Sequence, residues 1–431
     1  MNYKRIDACR LCRGVALVDV LSLGEQFLAS SFVKSNENNP LASTRFPLTL
    51  SLCDRSKNTT GCGLLQLRET VDRDLLYREY FYRSATNPMM RDALKEIAGE
   101  VLSRVELEAG DAVLDIGCND GTMLTFFPGT LGRFGIDPAK NIPALQGIDQ
   151  SIRIRTDYFS RESAHVLTGG IKKFKVITAI AMFYDLDDPH AFVRDVKELL
   201  HPEGVWCIQL SYLRDVIKNM NFFDICHEHL LYYSLATLRT LLHRHDLEII
   251  DASTNPVNGG SLRVFVSHKK SGRAVSQSVQ KILDEEAVLG LDTPETFRAF
   301  GAQIFHLKET IVGYLRREKE RGNMVVGLGA STKGNVLLQY FGIGRDLVPY
   351  LCDRNPEKTG LRTLGTDVEV ISEERMRELQ PSCLLVLIWF FREELLKRER
   401  EYLDRGGTML FPMPHPCIVT KEGETPLSSV L

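Results

Sequence analysis

The chain has 431 residues, too long for one ordinary domain, so two or three are expected. With 44% hydrophobic and 25% charged residues it falls among soluble globular proteins. A net charge of -3 gives no general pull toward nucleic acid or acidic lipid, so neither is expected as a partner and any anionic ligand must be held locally.

Three regions differ in character along the chain: 1–75, 76–270 and 271–431. The first begins MNYKRIDACRLC, which has no apolar signal core. A cytoplasmic protein is therefore expected, with its ten cysteines as free thiols or metal ligands rather than disulfides. Four of them lie in this region. CRLC contains Cys9 and Cys12, a spacing that lets two thiolates face one tetrahedral ion. Cys53 and Cys62 form a wider second pair, and a loop of that length still closes because closure entropy grows slowly. With no further polar ligand in view, the expected ion is structural Zn2+, supplying much of the folding free energy of a region with little core. The competing reading is four unrelated thiols.

The second region alternates short apolar runs (AVLDIG, RFGIDP, KVITAIAMF, GVWCIQL) with helical patterns, which predicts a parallel sheet with crossover helices. Its last two runs, LEIIDAS and SLRVFVSH, leave no room for a helix between them and predict an antiparallel hairpin at the sheet edge. After the first strand, VLDIGCNDGTML turns through Gly117, Asn119, Asp120 and Gly121 into a helix start. Gly is missing at 119 and 122, so the dinucleotide fingerprint fails. The next strand ends in Asp137, where an acid can accept from ribose hydroxyls. This set resembles the S-adenosylmethionine-dependent methyltransferases. The resemblance implies a class I doubly wound α/β sheet with an antiparallel final strand. It also implies that Gly117, Asn119, Asp120 and Gly121 carry the methionine end of the cofactor and Asp137 its ribose. A flavodoxin-like or nicotinamide-binding sheet is the alternative.

CHEHLLYYSL follows at Cys226. A zincin helix would need a second His at 231, where Leu stands; in a strand His227 and His229 would share a face, two ligands being too few for a catalytic metal. A neutral imidazole among apolar and aromatic neighbours is a good proton acceptor near neutral pH, and a neighbouring carboxylate can fix its tautomer. The plain alternative is a satisfied polar corner of the core.

In the third region a helical stretch from Val275 to Arg321 is interrupted by GLDTPE. A strand–turn–helix pattern, NMVVGLGASTKGN, then restarts. Neither a Walker A loop nor GxGxxG fits, but such a turn still aims backbone N–H groups at an anion, and Lys333 suits a diphosphate. Close helix–strand packing is the structural alternative. The greasy run Cys383–Phe391 is too short to span a bilayer and reads as a buried strand, so no membrane segment is expected.

CRLC…GCGLLQL, YFYRSATNPMMRD, VLDIGCNDGTML, HEHLLYYSL, NGGSLRVFV, GLGASTKGNVLLQY and CDRNPEKTG occur together and in this order. The chain thereby resembles the nucleotide-sugar C-methyltransferases of deoxysugar pathways. That family joins an N-terminal zinc module, an S-adenosylmethionine domain and a C-terminal Rossmann-like domain. The resemblance implies a nucleotide-linked 4-keto-deoxysugar as substrate and His229 as the base that removes its C3 proton. Glu228 would sit beside the base and Tyr82 by the sugar, Tyr80 being the weaker match. Lys333, Asn335, Ser331 and Asn258 would hold the nucleotide sugar. Two positions depart from the family: Cys226 replaces a tyrosine, and Asp185 replaces a histidine in MFYDLDDPHAF, with His190 nearby but surface-like. Both touch the sugar pocket and are counted with the catalytic group. The rival functions are an NAD(P)-dependent oxidoreductase and a non-catalytic nucleotide-binding scaffold. The oligomeric state is left open, with a monomer preferred.

Overall fold

The apolar runs of the middle region become a seven-stranded sheet. In chain order its strands are β1 (Ala112–Ile116), β2 (Gly132–Asp137), β3 (Ile152–Thr156), β4 (Phe174–Ile180), β5 (Leu200–Ser211), β6 (Leu247–Asn255) and β7 (Ser261–His268). The order across the sheet is β6-β7-β5-β4-β1-β2-β3, with β7 antiparallel to both neighbours and the other pairs parallel. The expected antiparallel pairing of the last two strands is present. The hairpin lies at the sheet edge as expected, with β7 inserted between β5 and β6 and β6 outermost. The computed structural model describes all residues except 1–2, 35–39, 58–60, 80–81, 142–148, 171–172 and 430–431.

Side chains alternate across the sheet. Val113, Val176 and Val205 pack with Leu94, Ile97 and Val101 of the helix Pro88–Leu102. Their neighbours Leu114, Ile177 and Trp206 pack on the opposite side with Phe192, Val193 and Val196 of the helix Pro189–Leu199. Both faces are covered, which is why the strands read as continuous apolar runs. The second helix starts cleanly because Asp188 caps it, its side chain accepting from the N–H groups of His190 and Ala191, with Pro189 in the first turn.

The N-terminal region forms a four-stranded antiparallel sheet ordered Leu231–Tyr232, Leu65–Leu67, Phe46–Cys53, Leu17–Gln26. Its edge strand therefore comes from the middle region, two residues after the HEH. In the C-terminal region a nine-stranded sheet is built around Val325–Leu328. Its far edge is Phe32–Lys34, paired antiparallel with Leu361–Thr363. Strands thus cross the expected divisions at 75 and 270. The apolar run at Cys383 is a strand only to Val386, after which the chain turns at Trp389–Phe391. The helical stretch divides as expected, into Gln277–Leu289 and Pro294–Glu320. Glu286 of the first helix accepts from the N–H groups of Leu235 and Ala236, capping the helix Leu235–His243 that follows the HEH. No helix among the described residues is long and apolar enough to cross a membrane.

Candidate active site

At the end of β1 the chain turns sharply. Gly117 has φ 72°, and a Cβ there would lie 2.8 Å from Met182 Cγ; Gly121 has φ 85°, and its Cβ would lie 2.6 Å from Ile154 Cδ1. Only glycine meets both demands. Asp137, at the end of β2, braces this turn: Oδ2 accepts from the Asn119 N–H and Oδ1 from the Ala139 N–H, each at 2.9 Å. Burial raises its carboxyl above the ordinary aspartate value. Each oxygen retains a second lone pair, the chemistry a ribose diol needs. The turn and its bracing acid fit S-adenosylmethionine.

The two side chains between the glycines are committed elsewhere. Asn119 Oδ1 accepts from the Ser84 N–H at 3.0 Å, and its Nδ2 donates to the Tyr82 carbonyl at 3.2 Å. Asp120 is buried and accepts from the Ala85 N–H and from the hydroxyl and N–H of Thr122. They hold the segment Tyr82–Ala85 on the turn, and Asp120 braces it. Tyr82 itself is 41% exposed, with its backbone on this turn. Tyr77 does reach the HEH, its hydroxyl donating to the Glu228 carbonyl at 2.9 Å. Tyr80 lies outside the described residues.

The HEH is neither strand nor helix. It is a turn closed by the His229 N–H donating to the Cys226 carbonyl at 3.1 Å, so the two histidines point apart. His227 is buried; its Nε2 donates to the Phe46 carbonyl at 3.2 Å and its ring meets the Phe46 edge, which ties the turn to the N-terminal sheet. His229 turns the other way. Its Nδ1 donates to the Asp224 carbonyl at 2.8 Å, and its ring lies against Tyr184 with centroids 4.3 Å apart. A carbonyl can only accept, so Nδ1 carries the hydrogen and Nε2 the lone pair. Burial lowers the ring's pKa; the charge of Asp224 opposes this and that of Lys333 adds to it. The ring is a neutral acceptor. Its tautomer is set by Asp224 and not by Glu228, whose carboxylate oxygens are buried without a hydrogen-bond partner. Asp185 Oδ1, on the turn after β4, is in the same condition. Cys226 is buried, and burial with the nearby carboxylates pushes its thiol well up.

The C-terminal loop reaches this turn from the other side. Lys333 Nζ pairs with Asp224 Oδ1 at 2.5 Å and donates to the Asn258 carbonyl at 3.0 Å, while Asp224 Oδ2 accepts from Ser211 at 2.7 Å. Lys333 is therefore a counter-ion to the residue whose carbonyl holds His229. Asn258, at φ 56°, offers its backbone to that lysine. Asn335 is 1% exposed and donates to the Ala29 carbonyl at 2.7 Å, so it pins the N-terminal region and is not open to a ligand. Ser331 caps the helix Thr332–Phe341 through the Gly334 N–H. Asp353 accepts from the Ala330 N–H and starts the turn at Asn355. His190 lies apart from the HEH, bonded to His245 and to the Leu11 carbonyl.

Asp224, Tyr184 and Tyr77 were not singled out from sequence. Asp224 stands within DICHEH, but its partner Lys333 comes from a different sheet, and no local pattern announces the pair.

The four N-terminal cysteines converge. Cys9 and Cys62 sulfurs are 3.5 Å apart, Cys12 and Cys53 sulfurs 3.4 Å, and all four lie within 4.8 Å of one another. A tetrahedral zinc with sulfur at about 2.3 Å separates its ligands by about 3.8 Å, so the cluster fits the ion. The wide spacing between Cys53 and Cys62 is closed by a hairpin: the Gly63 N–H donates to the Cys53 carbonyl and the Cys53 N–H to the Leu64 carbonyl. N–H groups of Leu11, Gly14 and the Gln66 side chain donate to the sulfurs of Cys9 and Cys12, as thiolates require. The ion would be structural, with no open ligand position.

Comparison with known proteins agrees with this layout. Residues 9–77 match a family of zinc binding domains, residues 82–252 a methyltransferase domain family, and residues 256–414 the C-methyltransferase C-terminal domain family. The chain is 29% identical over 418 residues to the C-methyltransferase NovU of Streptomyces niveus, covering 97% of this chain and 98% of that one. Among solved structures, the N-methyltransferase NodS of Bradyrhizobium japonicum WM9 is 16% identical over 43% of this chain and 98% of its own, with a TM-score of 0.32. The methyltransferase complexed with Trm112 of Haloferax volcanii is 16% identical over 43% of this chain and 94% of its own, with a TM-score of 0.34. The three family matches follow one another in chain order over a class I sheet and a four-cysteine cluster, the layout of an S-adenosylmethionine-dependent C-methyltransferase with an N-terminal zinc-binding domain.

Proposed function

We propose that this enzyme methylates C3 of a nucleotide-linked 4-keto-deoxysugar, with His229 forming the enolate. The observation that carries the reading is the His229 ring: tautomer set by the Asp224 carbonyl, charge suppressed by burial, and position fixed against Tyr184. A ketone acidifies the adjacent C–H, and a neutral imidazole of this kind can take that proton. Gly117, Gly121 and Asp137 would hold the cofactor. When bound, S-adenosylmethionine supplies an electrophilic sulfonium methyl to the carbanion. What the chain contributes is positioning and exclusion of water, because an enolate exposed to solvent is reprotonated. The sugar class follows from the motif resemblance, and the C-terminal loop around Lys333 supplies the second wall of the site.

The test is His229→Ala, assayed with a panel of NDP-4-keto-deoxysugars by the mass gain of one methyl. Wild type should methylate at least one. The variant should lose turnover by 100-fold or so, the usual worth of a general base, yet bind S-adenosylhomocysteine in calorimetry as wild type does. Turnover retained by the variant would remove His229 from the role. A wild-type protein that binds S-adenosylhomocysteine but methylates no keto-sugar would remove the substrate class.

A further inference from the structure

The carbonyl that sets the His229 tautomer belongs to Asp224, and it also accepts from the Tyr232 hydroxyl at 3.2 Å. Whatever fixes that carbonyl fixes the ring. Asp224 ends the short turn Phe222–Asp224, and two regions of the chain hold it. On the methyltransferase side the Ser211 hydroxyl, at the end of β5, donates to Oδ2 at 2.7 Å. On the C-terminal side the turn lies along the helix Thr332–Phe341 and meets it at both ends. The Phe222 ring stacks on Phe341 with centroids 5.2 Å apart, and Lys333 Nζ pairs with Asp224 Oδ1 at 2.5 Å. The connection between β6 and β7 closes the group: the Asn258 carbonyl accepts from Lys333 at 3.0 Å and the Gly259 carbonyl from Asn221 at 2.8 Å. The rings of Phe223 and Phe390 flank the ammonium, their centroids 5.6 Å and 5.2 Å from Nζ.

We propose that Lys333 is a positioning residue for the base: acting through Asp224, it fixes the orientation of His229, so that the C-terminal region takes part in proton abstraction and does more than wall the site. This rests on the reading of His229 as the enolising base and deepens it. An imidazole takes a proton from carbon only along its free lone pair, so a small rotation of the ring lowers the rate without changing the affinity for either ligand. Lys333 also balances charge. The charges of Asp224 and Glu228 favour the imidazolium and that of Lys333 opposes it. The other titratable groups about the turn are Asp185, Cys226, His227, Tyr232, Tyr184 and Tyr77. Without the lysine the ring is left to the carboxylates and protonates more readily; without the Asp224 charge as well, most of that excess is gone.

Two measurements on the full-length zinc-loaded protein decide it. The first is steady-state methylation of an NDP-4-keto-6-deoxyhexose with saturating S-adenosylmethionine. Lys333→Met should lower kcat by about 100-fold, the effect of misplacing a reacting group by roughly an ångström, with KM for the sugar near the wild-type value. That variant strands a buried carboxylate, so Lys333→Met/Asp224→Asn is measured beside it. The double variant is balanced in charge but lacks the tie, and its kcat should stay low. Wild-type kcat in the double variant overturns the positioning role. So does a raised KM at unchanged kcat in either variant, which would put Lys333 on the diphosphate of the substrate. The second measurement needs no substrate: long-range nitrogen–proton NMR of histidine-labelled protein, with the His229 signals assigned by their loss in His229→Gln. Wild type should show the Nδ1-protonated tautomer and a low titration midpoint. Lys333→Met should raise the midpoint, and adding Asp224→Asn should bring it back down. A His229 ring that answers to neither change overturns the coupling. Turnover retained by His229→Ala removes the base reading and this role with it, whereas turnover lost there but kept in the double variant removes this role alone. Should wild type methylate no keto-sugar, the substrate class falls and the NMR midpoints still decide whether Lys333 governs the ring.

Discussion

The proposed role of His229 as base requires a neutral ring, and burial favours that form. The acid limb of kcat/KM should therefore lie below pH 6.5, the ordinary histidine value. The same burial has a cost in acid. His227 and His229 both resist protonation in the fold, so the unfolded chain takes protons first as the pH drops. Stability from these rings is complete above pH 6.5 and declines below it, toward the lowered native values. His227→Gln, measured by denaturant midpoint at about pH 8 and about pH 5, should lose less on acidification than wild type; an equal loss would assign the acid sensitivity elsewhere. Lys333 has a sharper signature. Asp224 is 1% exposed and Lys333 18%, so Lys333→Met strands a buried carboxylate, a change that costs about 3–5 kcal/mol. Adding Asp224→Asn should recover most of that stability; a double variant no better than the single would deny the pair. Sequence made the HEH conspicuous as general-base equipment. It misplaced the supporting group, because composition shows which acids are near in the chain and not which backbone carbonyl a ring will meet.

At the scale of elements, the zinc module matters for chemistry it does not perform. Its sheet takes Leu231–Tyr232 as an edge strand, and the Leu67 N–H donates to the Leu230 carbonyl at 2.9 Å. Those residues adjoin His229 directly. Phe46, on a strand that ends in the ligand Cys53, also carries the carbonyl that holds His227. Removing zinc with a chelator, or substituting Cys53→Ser, should loosen this sheet and with it the base turn. Turnover should vanish while S-adenosylhomocysteine still binds at the Gly117 turn, which lies on a different sheet. Loss of both together, or of neither, would contradict that division. Strands, helices and the glycine turn were legible because periodicity and glycine are local signals. The edge strand was not: two residues have no period to read. The insertion of β7 beside β5 was equally silent, since antiparallel pairing with β6 satisfies the local pattern in either place.

Across the whole molecule the three regions are stitched by elements that exchange places. Phe32–Lys34 edges the C-terminal sheet, and Gln339 meets the backbone of Phe27 in both directions, accepting at 2.8 Å and donating at 3.3 Å. Asn335 holds Ala29, Lys333 holds Asp224, and one apolar core continues from Leu11 through Trp206 to Leu427. Opening any one region therefore bares strand edges and apolar surface in the next. The zinc-loaded protein should unfold in one cooperative transition, although its length alone would suggest domains melting separately. The two tryptophans make this measurable: Trp206 is buried in β5, and Trp389 lies in the C-terminal region against Phe223. In Trp206→Phe the fluorescence reports only Trp389, and in Trp389→Phe only Trp206. Within each variant the fluorescence midpoint in denaturant should coincide with the far-UV circular dichroism midpoint. Asn335→Ala, introduced into either, should move both probes together. If Trp389 completes its change before the circular dichroism begins to fall, the C-terminal region unfolds alone, and the clamp that Lys333 places on Asp224 would open without disturbing the methyltransferase sheet.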